Sequence, residues 1–130
     1  MKIAIATKQF REVSGHAGQC RHWLLYDLSA HRAGQLLPAP QPVELQREEV
    51  LHTFADDRVH PLDGIDLAVV ASAGDGFIRH MKKRGCDVLL TGESDPATAI
   101  TRIVAGEALP DPRFDLTTSL CKLRDLFSRH

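Results

Sequence analysis

Polar and apolar positions along the chain alternate between two periods, and the switch between them outlines the fold. Lys2 to Thr7, KIAIAT, places Ile3 and Ile5 in a short apolar run, the pattern of a buried opening strand. The polar stretch KQFREVSGHAGQ reads as a loop. RHWLLYDLS, Arg21 to Ser29, returns to strand character with Trp23 and Tyr26 on opposite faces, one for the core and one for a surface or partner contact. After a turn at residues 29–32, RAGQLLPAP suits a third strand closing a hairpin, which the prolines at 38, 40 and 42 end.

From Glu44 to Phe54 the residues are good helix formers, and Leu45, Val50, Leu51 and Phe54 make a loose apolar stripe, so a helix is expected there. DDRVHPLDG breaks it. Asp66 to Ala73, DLAVVASA, is a continuous apolar run between turn residues, as in a central strand covered on both faces. A glycine turn then opens a helix carrying Phe77, Ile78 and Met81, which Gly85 stops, with Lys82, Lys83 and Arg84 where the helix dipole favours cations. CDVLLTG supplies the next strand. Ser94 or Asp95 caps a further helix with Pro96 in its first turn and Ile100, Ile103 and Val104 along it, ending near Gly106. Strand, helix, strand, helix after an antiparallel half describes an α/β domain with a mixed sheet. PDPRFD separates it from a tail in which Leu116, Leu120, Leu123 and Phe127 recur at helical spacing. The expected division is a domain over residues 1–109 and an amphipathic helical tail over residues 110–130.

The 130 residues suffice for one core of ordinary size. Sixteen basic against seventeen acidic side chains leave a formal charge of -1, which gives no bulk attraction for nucleic acid or an anionic membrane. No apolar run approaches the ~20 residues of a membrane span and no signal-peptide segment opens the chain, so a cytoplasmic protein is expected. Cys20, Cys86 and Cys121 are an odd number at wide spacing, which favours reduced thiols, with Cys86 and Cys121 as packing residues.

Two stretches could carry chemistry. In VSGHAGQCRHW, Cys20 and His22 would share a strand face by the two-residue period, with His16 able to swing over them, although His-x3-Cys-x-His is not a standard zinc spacing. The plain alternative makes His16 a turn residue bonded to a carbonyl, Cys20 a small buried hydrophobe and His22 an exposed strand residue. In SAGDGFIRH, free amides at a helix start attract anions and Arg79 could add charge; a tight strand-to-helix turn explains Gly74 and Gly76 equally well. It is neither a Walker loop nor a dinucleotide fingerprint, since Arg79 stands where the last glycine of the latter belongs.

Taken in order, KIAIAT, GHAGQCRHWLLYDL, DLAVVASAGDGFIRHMKKRGCDVLLTG and IVAGEAL resemble the dinitrogenase iron-molybdenum cofactor-binding family, the NifX-like and NafY-like carriers and the C-terminal domain of NifB. The resemblance spans Met1 to about Leu109. It rests most on Gly15-His16 and on the turn Ala73-Gly74-Asp75-Gly76. It implies a ribonuclease-H-like three-layer fold: a five-stranded mixed sheet, three strands forming a meander, flanked by helices. It further implies a non-enzymatic carrier of an iron-sulfur or iron-molybdenum cofactor or its precursor, working with nitrogenase cofactor-assembly proteins or apo-nitrogenase as a monomer or homodimer. His16 and Cys20 then become the metal ligands, and Gly15, Gly18, Gly74, Gly76 and Arg79 further contacts to the guest, Gly15 and Gly18 by giving the loop freedom. Where the family usually has His-Phe-Gly this chain has His16-Ala17-Gly18, which removes an aromatic wall and leaves Cys20 open to two roles, compensating ligand or buried packing residue. The competing classes are a cofactor-free interaction module and a phosphoryl-transfer enzyme, the latter weakened because the opening strand carries no carboxylate.

Overall fold

The computed structural model describes residues 1–32, 34–51 and 59–110. It is a mixed α/β structure with one six-stranded sheet and, among the described residues, two α-helices. The strands are β1 (Lys2–Lys8), β2 (Glu12–Val13), β3 (His22–Asp27), β4 (Gln41–Glu44), β5 (Leu67–Val70) and β6 (Asp87–Leu90), and the helices α1 (Asp75–Lys83) and α2 (Pro96–Val104). The sheet order is β4-β3-β1-β5-β6, with β1, β3 and β4 an antiparallel meander and β1, β5 and β6 parallel. Thr7 pairs with both His22 of β3 and Val13 of β2, so β2 lies on the β5 side of β1, beyond the point where β5 stops.

The period of two along β1 sorts the core into two halves. Ile3 and Ile5 join Leu24, Tyr26, Val69 and Leu89 beneath Ala99, Ile100 and Ile103 of α2. Ala4 and Ala6 turn to the other face, where Ala68, Val70 and Trp23 pack with Phe77 and Met81 of α1. The small side chains on that face leave room for the fully buried Trp23 indole. Trp23 and Tyr26 do lie on opposite faces, but both are core residues, because helices or loops cover both sides of β3. Cys86 is likewise buried, and burial pushes its thiol up to about 12. No helix among the described residues is long and apolar enough to cross a membrane.

Three sequence expectations are corrected. The loop after β1 contains a sixth strand: Gln9 and Phe10 both take positive φ and turn the chain back as a hairpin. The third meander strand is Gln41–Glu44 instead of residues 32–40, with Pro42 inside it. β4 is an edge strand, so a missing N–H is tolerated on its unpaired side. The helix expected from Glu44 is absent over its described part. Glu44 pairs with His22 in the sheet, and only a 3₁₀ turn at Arg47–Glu49 follows, closed by a Gln46/Glu49 capping box before extended Val50. Pairing with β3 and burial of Leu45 override helix propensity there. Phe54 and the tail stripe 116–127, with Cys121, lie outside the described residues.

His60 is a buried polar residue with both ring nitrogens engaged. The Leu62 N–H donates to Nδ1 at 3.0 Å, so Nε2 carries the proton and donates to the Glu49 carbonyl at 2.6 Å. Burial lowers its pKa below the usual histidine value, and Arg84 adds to this, whereas the Glu49 carbonyl and the carboxylates of Asp63 and Glu49 oppose it. The folded state therefore binds the proton less well than the unfolded chain. Stability from His60 is complete above the unfolded pKa of about 6.5 and is lost as pH falls toward the lower folded value. Melting temperature is expected to drop between about pH 7.5 and about pH 5.5, with a shallower drop in His60→Gln. Equal slopes in the two proteins would assign the effect to another group.

Candidate functional site

The segment from Ser14 to Cys20 is clamped to the end of β5. Ser14 N–H donates to the Ala6 carbonyl at 2.8 Å, and Ala71 N–H donates to the Ser14 carbonyl at 2.9 Å. Ser72 then holds the loop twice: its Oγ accepts the His16 N–H at 3.0 Å, and its carbonyl accepts the Ala17 N–H at 3.3 Å. A Cβ on Gly15 would come within 2.5 Å of Ser72 Oγ, so glycine is what allows this approach. Gly15 thus serves to pin the loop, where the sequence suggested freedom; Gly18 lies within the short 3₁₀ turn Ala17–Gln19.

His16 is exposed and sits in the left-handed region, φ 52° and ψ 51°, immediately before that turn. A non-glycine residue there costs on the order of 1–3 kcal/mol and persists where surrounding contacts over-determine it. The imidazole has no intramolecular partner among the described residues, so both ring nitrogens remain available to a guest. Ala17, where the resemblance leads one to expect an aromatic, is fully buried in the α1-side core. It is a packing residue of this chain, and a phenyl ring there would overfill the core.

Cys20 does not begin the strand. It follows the 3₁₀ turn and is buried, its Sγ 3.5 Å from both the Thr7 and the His22 carbonyl oxygens. Burial raises its pKa above the ordinary thiol value, so it is held as a thiol at neutral pH. His22 begins β3, with its Nε2 3.0 Å from Glu44 Oε1 and its ring edge-on to Phe10 at 4.8 Å. Cys20 and His22 line one open hollow of about 540 Å³, and His16 is not part of its wall. The structure therefore joins Cys20 with His22 and joins His16 with Ser72. Among the described residues no group of three or more metal-ligating side chains converges.

Ser72 leads directly into the glycine turn, so the His16 loop and the start of α1 are neighbours through that one residue. Gly74 is the N-cap, with φ -79° and no side-chain cap. Neither Gly74 nor Gly76 has positive φ, and a Cβ on either would meet nothing within 4 Å. The turn itself does not require these glycines. What they provide is an uncovered backbone beside His16, with Arg79 exposed one turn further along α1 and Asp75, also exposed, in the first turn. Ser72 was not singled out from the sequence, because a serine after an apolar strand carries no signal of its partner fifty-six residues away.

The family model described as "Dinitrogenase iron-molybdenum cofactor" matches residues 1–106. The chain belongs to that family. Two solved structures share its fold. One is PH0822, 20% identical, which matches over 88% of this chain and 100% of its own with a TM-score of 0.66. The other is the NMR structure of TM1290 from Thermotoga, a protein proposed to be NifB and placed in the DUF35 family. It is 16% identical and matches over 88% of this chain and 96% of its own, with a TM-score of 0.56. No curated protein matches the sequence.

Within this iron-molybdenum cofactor family domain, the two kinds of glycine differ in what a side chain there would meet. Gly15→Ala is expected to displace Ser72 Oγ, break the bond to the His16 N–H and lower stability by about 1 kcal/mol. Gly76→Ala, inside a helix and without a clash, is expected to raise stability by about 0.5–1 kcal/mol. Denaturant midpoints of the two variants check this; a shift of the same sign in both would refute the division.

Proposed function

We propose that the chain is a non-enzymatic carrier that takes up an iron-sulfur or iron-molybdenum cofactor, or its precursor, during nitrogenase cofactor assembly. On this reading it passes its cargo to assembly proteins or apo-nitrogenase in the cytoplasm, as a monomer or homodimer, and its fold is ribonuclease-H-like. The observation that carries the reading is the match of residues 1–106 to the iron-molybdenum cofactor family, with an uncommitted His16 on a pinned loop inside that region.

The chemistry of such a cargo suits these residues. An imidazole fills an open iron position without enclosing the cluster, so a single His16 ligand permits release. Cys20 is the secondary ligand in this proposal. To serve, it must give up its contacts with the Thr7 and His22 carbonyls and lose its proton, both of which a bound iron favours. The amides at the start of α1 and Arg79 offer compensation to an anionic guest, against the opposing charge of Asp75. Anaerobic purification followed by iron, molybdenum and sulfide analysis tests the proposal. A brown protein with near-stoichiometric iron supports it; a colourless protein that takes up no cluster when offered one anaerobically refutes it.

A further inference from the structure

We propose that the open hollow beside the β1–β2 hairpin is a separate site for a small phosphate-bearing anion, recognised by Arg11 and Arg21. The hollow, about 540 Å³, is of a size for a small molecule, and three cations from three segments border it: Lys8 at the end of β1, Arg11 after the hairpin turn and Arg21 ahead of β3. Glu12 also borders it but stands directly across from Lys8 in the hairpin register, so those two charges offset each other. The surplus is Arg11 and Arg21, two positive charges in one concavity of a chain whose total is -1. A phosphate dianion matches that surplus, and guanidinium groups meet its oxygens in pairs.

The walls are held in place before any ligand arrives. Arg21 Nε donates to the Leu45 carbonyl at 2.8 Å, which fixes the guanidinium plane and leaves its two Nη groups without a partner among the described residues. The hairpin is braced by Arg11 N–H on the Lys8 carbonyl at 3.0 Å and Phe10 N–H on Thr7 Oγ1 at 3.0 Å. Gln9 and Phe10 sit at φ 51° and 64°, a conformation that side chains rarely take and that these bonds sustain. His22 is turned to Glu44, its Nε2 3.0 Å from Oε1. One held guanidinium and a braced hairpin around an uncovered hollow describe rapid, salt-sensitive binding of a polar anion. This site goes beyond the carrier reading and does not rest on it: Cys20 borders the hollow, but His16, the principal ligand of that reading, is outside it, and the anion is met by Arg11 and Arg21.

Pyrophosphate added to the full chain at low ionic strength is the probe, with binding followed by calorimetry and by backbone amide resonances. Saturable binding is expected, with the largest changes at Lys8, Arg11 and Arg21. The Arg11→Gln/Arg21→Gln variant is expected to bind about ten-fold or more weakly at an unchanged melting temperature, as both side chains are exposed. His16→Ala is expected to bind pyrophosphate as the parent does. Absence of saturable binding, undiminished binding by the folded double variant, or changes confined to Gly74–Phe77 would overturn the proposal. The resonance map of the parent decides the matter should the double variant fail to fold.

Discussion

His16→Gly is expected to lose cluster binding by about ten-fold or more while the domain remains folded and becomes no less stable. The residue holds φ 52° on an exposed loop, and its ring has no hydrogen-bond or ring partner among the described residues. Glycine adopts that conformation without strain, which offsets its greater freedom in the unfolded chain. The pinning bonds come from the backbone: the His16 and Ala17 amides on Ser72 survive the substitution. Binding and stability should therefore separate in this variant, whereas a purely structural histidine would show no change in binding. His16→Ala removes the same ligand but keeps the left-handed strain, so its binding should match that of His16→Gly with a lower melting temperature. Anaerobic titration with cluster, read by absorbance and iron content, gives the first quantity; thermal melting gives the second. Unchanged affinity in both variants would remove His16 as the ligand.

The parts of the fold that could be read in the sequence are those with a local cause. β1, β5, α1, β6 and α2 each declare themselves through an apolar run or stripe with its own stop, and the Asp95 cap is seen in the bond from Thr98 N–H at 3.1 Å. What could not be read depends on partners far along the chain. Glu44 looks helical until β3 pairs with it, and Gln9-Phe10 lacks the glycine or asparagine that ordinarily marks a tight hairpin. The same limit applies to the site. Spacing alone places Cys20 and His22 together, and the hollow does unite them, but the loop turns His16 toward Ser72 instead. That separation is the work of Gly15, whose closeness to Ser72 no pattern of neighbouring residues encodes.

The separation also gives the two candidate surfaces a common support. Trp23 is fully buried on the α1 side of β3, and its Nε1 donates to the Cys20 carbonyl at 3.1 Å, directly behind the turn that follows His16. Cys20 in turn reaches the Thr7 carbonyl, at the base of the hairpin that frames the hollow. One indole therefore braces both the His16 loop and the floor of the hollow.

Trp23→Ala is accordingly expected to cost about 3–5 kcal/mol, a large share of the stability of a domain this size. Ala4, Ala6 and Ala68 on the same face have no side-chain length with which to fill the space left behind. The loss combines a cavity with an unpaired Cys20 carbonyl. Trp23→Phe keeps most of the ring volume and forfeits mainly the hydrogen bond, so a cost of about 1–2 kcal/mol is expected from it. Urea midpoints of the three proteins order the effects, and the phenylalanine variant, which remains folded, is the informative one for function. If the indole bond positions the loop, cluster affinity should fall in Trp23→Phe although no ligand has been touched. Full affinity in a Trp23→Phe protein of lowered stability would show that Ser72 alone suffices to hold His16 in place.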